Sequence, residues 1–530
     1  MNLLHRLLTG FSLLFFLSCY QSSPQYDLII RNGLLYDGSG KAPVSQDIGI
    51  IDDKITTLGH LEDASANREI DANGLAVAPG FIDLHVHMNA LLKVPQTEST
   101  IRQGVTTILG GPDGRGPWLL DAYLQKVDSS GIGVNAAYLV GHNTVRQNVM
   151  GLEERAPTPE ELNAMQAQIR QAMKDGAFGI STGLKYIPGA FSNVEEVIAL
   201  SKVAAEHGGF YTSHLREEGL GVIEAVGEAI HISEKANIPV VLTHHKVMGP
   251  AMWGGSKKTL AMVDSARALG LDIMMDQYPY TASQTSLSVL FPSWAMSGGG
   301  DTFQQKIDDP ILKDSIKRGI IYNIVHNRTG GDLSRIQFAK VDWLPELEGK
   351  TLYDWTQMRN MEASVEHAAE LVIEAQSKGG CTVIYHVMEQ EDVDRIMLHP
   401  QTMIASDGQL AIFGEGHPHP RWYGTYPRVL GHYVRERKLL SLEKAIQKMT
   451  QMPADRLGLS TRGRIAEGAF ADLVIFDAET IIDKATFEKP HQYPEGIYYV
   501  IVNGKLALDD GALTTERAGH VLRGPAYSRP

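Results

Sequence analysis

The sequence predicts an α/β fold, a (β/α)8 TIM-like barrel carrying a small β-sandwich domain built from both termini. Two observations carry this. Apolar, β-rich runs alternate with amphipathic stretches through the middle of the 530 residues, the pattern of a parallel sheet covered on both faces. Short strands separated by tight turns bracket that region at either end.

The chain opens on a segment outside the fold. Met1 to Arg6 carries one fixed positive charge, and Leu7 to Leu17 is an apolar run of signal-peptide length, too short to span a bilayer comfortably. The run closes on Phe16-Leu17-Ser18-Cys19, which resembles a bacterial lipobox with Phe in the usual place of Leu. Residues 1–25 are therefore read as a lipoprotein leader and tether. The expected location is periplasmic, with lipid on Cys19 as the sole link to a membrane.

Residues 26–78 alternate apolar stretches with turn signals: DLIIRNG, LLYDGSG and DIGIIDDKITTLG. The same texture returns in GRIAEGAFADLVIFD and YYVIVNGKLALDDG, so 26–78 and 456–530 are read as two parts of one small β domain. Residues 79–455 form the barrel. Its strand candidates are FIDLHVH, VTTILGG, GVNAAYLVG, AFGISTG, FYTSHL, IPVVLTHHK, LDIMMDQYP and MIASDG. Segments such as Asn193 to Gly208 have helix periodicity. From about 287 to 380 the alternation weakens, and this stretch is expected to be an insertion over the site.

Composition narrows the function. A net charge of −14 with no block of like charges argues against nucleic acid as a partner. The only cysteines are Cys19 and Cys381. With lipid on Cys19 no internal disulfide can form, and a chain of this length needs none. Cys381 opens the apolar run CTVIYHV and is expected to be buried.

The strongest chemical signal is Pro79-Gly-Phe-Ile-Asp-Leu-His85-Val-His87. Residues two apart on a strand face the same side, so His85 and His87 can present two imidazoles to one metal. Barrels place such residues at strand C-terminal ends. Three further apolar runs end in candidate ligands: His214, the pair His244 and His245, and Asp407. Imidazoles and carboxylates gathered at strand ends are what a site for one or two zinc ions needs. Asp407 is also placed to act as general base.

At this point the sequence resembles the D-aminoacylase (N-acyl-D-amino-acid deacylase) family of metal-dependent amidohydrolases. The resemblance is carried by GFIDLHVH, FGISTGLKYIPGAF, AAEHGGFYTSHLREEG, LTHHKVMG, DQYPYTAS, the stretch from SDG through HPHPRWYGTYPRVLGHYVRE, and PEGIYYVIVNGK. It runs from about Asp27 to Gly511 and implies zinc-dependent hydrolysis of the amide of an N-acyl-D-amino acid. It also implies that His85, His87 and Asp407 hold one zinc and that His214 and His244 hold the other. His245 is then packing or support. Lys246, Tyr278 and Arg421 match positions that hold the carboxylate of the amino-acid product. The substrate is a small N-acylated amino acid or a dipeptide.

One departure stands out. The family carries a metal-binding Cys after the GVTT strand, and here Asp113 stands in its place. The expectation is that Lys185, at the end of the fourth strand, is carboxylated and bridges the two zincs, with Asp113 as the alternative. Two other readings compete. One keeps the fold and takes cyclic amides, as hydantoinases and dihydroorotases do, or dipeptides. The other is a metal-binding lipoprotein without catalysis, which the presence of Asp407 disfavours.

Overall fold

The computed structural model describes residues 25–528; Cys19 and the leader up to residue 24 lie outside the described residues. Eight parallel strands build the barrel: Phe81–Asp83, Val105–Gly110, Asn135–Tyr138 prolonged by Val140–Gly141, Gly179–Gly183, Phe210–His214, Val240–Leu242, Ile273–Gln277 and Thr402–Ile404. Each pairs in parallel with the next. The ring closes where Gly408 and Gln409 pair with Val86 and His87. Ser406 N–H adds a hydrogen bond to Asp83 Oδ1 at 3.0 Å across the same seam. Strands such as Val105–Gly110 are buried throughout, as a sheet covered on both faces requires.

The outer helices are specified locally. Thr158 and Glu161 form a reciprocal capping box at the start of helix Pro159–Lys174, and Asn193 caps Val194–Glu206. Helix Val222–Ala236 buries Val222, Ala225, Val226, Ala229 and Ile232, a stripe at helical spacing against the barrel. Each Val or Ile so buried contributes about 1.5–3 kcal/mol. A charge at Ile232 would break that face.

The small domain joins both ends of the chain. Ala76–Pro79 runs antiparallel to Leu473–Phe476, in a nine-stranded sheet. The two faces of the expected sandwich are halves of this one sheet. It curls until Ile55 N–H meets Ala469 O at 2.9 Å and Gly468 N–H meets Ile55 O at 2.8 Å. Ile30, Ile48, Ile55, Val77, Ile475 and Ile501 then share one core. The last strand of the sheet is Ala512–Leu513. The residues from Gly519 onward leave the sheet. Gly519 and Val521 bridge to Ile132 and Ala136, and Gly524 N–H donates to Gly176 O, so this tail braces the N-terminal ends of barrel strands.

The insertion has its own antiparallel sheet, Ser283–Ser286, Thr382–Tyr385 and Ile336–Lys340. Its outer limits are wider than 287–380 because Ser283 pairs with Tyr385. Phe291, Ile316, Phe338, Trp355 and Val372 fill a separate core beneath it. Cys381 is half-buried at the edge of this sheet rather than buried, and burial still pushes its thiol up to about 12. Insertion and barrel mouth together enclose a cavity of about 970 Å³ that reaches His87, Asp113, His214, His244 and Asp407.

Candidate active site

The barrel brings two groups of ligand atoms into contact. His85, His87, Asp113 and Asp407 form one group, and Asp113, His214 and His244 form the other; within each, the ligand atoms lie within 4.8 Å of one another. Asp407 Oδ1 is 3.3 Å from Nε2 of both His85 and His87. Asp113 Oδ1 is 3.6 Å from His85 Nε2 and 3.4 Å from His244 Nε2. Its Oδ2 is 3.6 Å from His87 Nε2 and 3.7 Å from His214 Nδ1.

These residues fit zinc. A tetrahedron with bonds of about 2.0–2.1 Å has edges of about 3.3 Å, close to the separations seen. His85 Nε2 and Asp113 Oδ1 are buried and have no hydrogen-bond partner, which leaves both free to ligate. Burial and Lys246 both act against a proton on His244, yet Asp113, Glu218 and Asp407 hold it up to about 10. The surrounding carboxylates thus favour positive charge at this spot.

Backbone and outer contacts fix the ligands. Asp113, His244 and Asp407 adopt left-handed φ angles of 54°, 38° and 48°, each strained for a residue with a Cβ. Such strain collects where side chains must point at a shared target. Thr243 Oγ1 donates to Asp276 Oδ2 at 2.9 Å and lies 2.6 Å from His85 Nδ1. Its single proton being committed to Asp276, the hydroxyl accepts from His85 Nδ1–H. That selects the tautomer with a lone pair on Nε2, which faces the site. Asp276 Oδ1 also accepts from His244 N–H at 2.6 Å. Asp83 Oδ1 accepts from the N–H groups of His85 and Ser406, and burial pushes its carboxyl up to about 6 despite those bonds.

Beside the ligands lies a buried cationic cluster. Arg421 Cζ sits 4.5 Å from the centroid of the Tyr278 ring, and Lys246 Nζ sits 5.7 Å from it. The Tyr278 hydroxyl and Arg421 Nε are buried without hydrogen-bond partners. Burial raises the Tyr278 pKa, so the hydroxyl stays a donor. Two donors and a cation gathered in one cluster suit a carboxylate.

The model of the amidohydrolase family matches residues 68–309 and 357–507. This chain belongs to the amidohydrolase family. It is 37% identical to the D-aminoacylase of Alcaligenes xylosoxydans xylosoxydans, over 94% of this chain and 98% of that one. A crystal structure of D-aminoacylase superposes with a TM-score of 0.80 at 35% identity, over 94% of this chain and 100% of that one. The N-acyl-D-glutamate deacylase from Bordetella bronchiseptica, solved with zinc and a phosphonate inhibitor, gives 0.79 at 33%, over 94% and 99%. The two groups of imidazoles and carboxylates in this chain could hold metal ions, as that zinc-containing relative does.

The two candidate bridges, Lys185 and Asp113, have different surroundings. Lys185 Nζ donates to Glu217 Oε2 at 2.7 Å, in an ion pair that includes no member of either ligand group. Asp113 instead belongs to both ligand groups. It comes from the turn after the second strand and offers two oxygens of one carboxylate, so no carbamate is needed to place negative charge between the groups. His245 turns away, its Nε2 2.9 Å from Thr259 Oγ1 in an outer helix, and burial pushes it down to about 3.

Glu218 was missed by sequence reasoning. It is 4% exposed, with Oε1 3.2 Å from His244 Nδ1 and 2.6 Å from Lys246 Nζ. The signal lay in His214-Leu-Arg-Glu-Glu218: a carboxylate four residues past a ligand histidine, followed by glycine. Lys246 is therefore tied to Glu218 as well as facing Tyr278. Thr243 and Asp276 were missed too, because their role depends on strand neighbours distant in sequence.

Proposed function

We propose that this protein hydrolyses the amide bond of N-acyl-D-amino acids, releasing a carboxylate and a free D-amino acid. The observation that carries the reading is the cluster of Arg421, Tyr278 and Lys246 next to the ligand groups. The D configuration rests on the likeness to D-aminoacylase. Bound zinc supplies Lewis-acid polarisation of the scissile carbonyl and lowers the pKa of the attacking water. Asp407 takes the proton of that water and passes it to the leaving nitrogen. Arg421 and Tyr278 hold the substrate carboxylate, which fixes the amide over the ligands.

A plain hydantoin ring needs no carboxylate clamp, so the buried, unpartnered donors of the cluster favour an acid. The test compares turnover of N-acetyl-D-amino acids, dipeptides with a D C-terminal residue, and cyclic amides by zinc-loaded protein. Turnover of cyclic amides alone would overturn the reading.

We also propose that the protein is exported and held to a membrane by lipid on Cys19. The leader sequence supports this. Cys19→Ala should move the protein to the soluble fraction; a variant still membrane-bound after high-salt washing would show another anchor.

A further inference from the structure

We propose that Arg328 and Tyr385 form a second anion subsite in the active-site cavity, for a second carboxylate on the substrate. The inference rests on the N-acyl-D-amino-acid reading and names which members of that class the cavity suits.

Arg328 ends the helical stretch Asn323–Arg328 of the insertion and is 3% exposed. Its Nε has no hydrogen-bond partner among the described residues. Its Nη1 faces the sulfur of Met248 at 3.6 Å, and a thioether is a weak acceptor. Its Nη2 is 3.6 Å from Glu217 Oε1, while Lys185 occupies the other oxygen of that carboxylate. One carboxylate therefore serves two cations, and the wall keeps a surplus of positive charge. Tyr385 is 1% exposed and its hydroxyl also lacks a partner. Its strand partner Ser283 points its hydroxyl at the same Met248 sulfur, 3.6 Å away. Arg328 and Tyr385 both line the cavity that holds Asp113 and His244.

A buried guanidinium whose Nε is unpartnered and whose one nearby carboxylate is shared with Lys185 is costly to keep. An anion accepting from Arg328 and Tyr385 would satisfy both. The pair repeats the chemistry of Arg421 with Tyr278, a guanidinium and an unpartnered phenol. The two subsites differ in reach. Arg421 touches Asp407, which assigns it the carboxylate next to the scissile amide. Arg328 pairs with none of the ligand residues and stands on the insertion, so it meets a more distant part of the substrate. That part is either the side chain of an acidic D-amino acid or an acyl group that ends in a carboxylate.

The experiment measures kcat/KM for N-acetyl-D-glutamate against its neutral isostere N-acetyl-D-glutamine, and for N-succinyl-D-leucine against N-acetyl-D-leucine. A preference of at least about tenfold is expected in one of the two pairs, and which pair shows it identifies the source of the carboxylate. Arg328→Gln and Tyr385→Phe should each shrink that preference and leave the neutral substrates unchanged. Tyr385→Phe removes only an unpartnered hydroxyl, so it keeps the test sharp if Arg328→Gln unfolds. No preference in either pair, or equal losses on charged and neutral substrates, would overturn the subsite and leave the deacylase reading standing. Turnover of none of the four would overturn both.

Discussion

Arg421 Nη1 lies 2.9 Å from Asp407 Oδ2, while Asp407 Oδ1 lies 3.3 Å from Nε2 of both His85 and His87. One carboxylate thus ties the ligand cluster to the cationic cluster. Burial alone would raise the Asp407 pKa, but Arg421 first, then His85 and His244, hold it well below the usual carboxylate range.

Asp407→Asn keeps the shape and removes the proton acceptor. The fold should persist and kcat should fall by roughly 10²–10⁴-fold. Circular dichroism and steady-state kinetics on the same preparation check this. Near-native turnover would remove Asp407 from the proton-transfer role.

Arg421→Lys keeps the charge and loses the planar fork. The substrate carboxylate and Asp407 then compete for one ammonium. A loss of about 2–5 kcal/mol in transition-state binding is expected. Much of the wild-type preference for N-acyl-D-amino acids over their carboxamide analogues should disappear. If that preference is unchanged, Arg421 only orients Asp407.

The shared position of Asp113 separates it from Lys185. Asp113→Ala should lower bound zinc from two ions per chain toward one, and Asp113→Cys, which restores an anionic ligand, should return it. Lys185→Ala should keep the zinc content of the parent. Metal analysis of the three variants decides. Zinc lost from Lys185→Ala but not from Asp113→Ala would reinstate a lysine bridge.

Thr243→Val deletes the hydroxyl between His85 and Asp276 while preserving shape. Zinc affinity should weaken by about 10–100-fold, as when other outer partners of ligand histidines are lost. Competition with a chelating dye measures it. An unchanged affinity would show that His85 needs no such orientation.

How much of this was legible in the sequence follows from the range of each interaction. His85 and His87 declare themselves because strand alternation is local and places both on one side. Asp407 is marked by the apolar run MIAS before it and glycine after it. Arg421 and Tyr278 came only through family resemblance, since no local pattern brings the start of helix Arg421–Arg428 to the end of strand Ile273–Gln277. The insertion was legible as a loss of alternation but not as a sheet. Its strands come from Ser283, Ile336 and Thr382 onward, too far apart for any short-range signal. The bridge was not legible because spacing cannot tell whether Lys185 or Asp113 lies between the ligand groups.

The most direct test of the central claim follows both enantiomers of one N-acetyl amino acid through a cycle of zinc removal and return. Zinc-loaded protein should hydrolyse the D form and leave the L form largely intact. A chelator should abolish the activity without unfolding the chain, and added zinc should restore it. Equal hydrolysis of both enantiomers, or activity that survives complete removal of the metal, would contradict a zinc-dependent N-acyl-D-amino-acid deacylase.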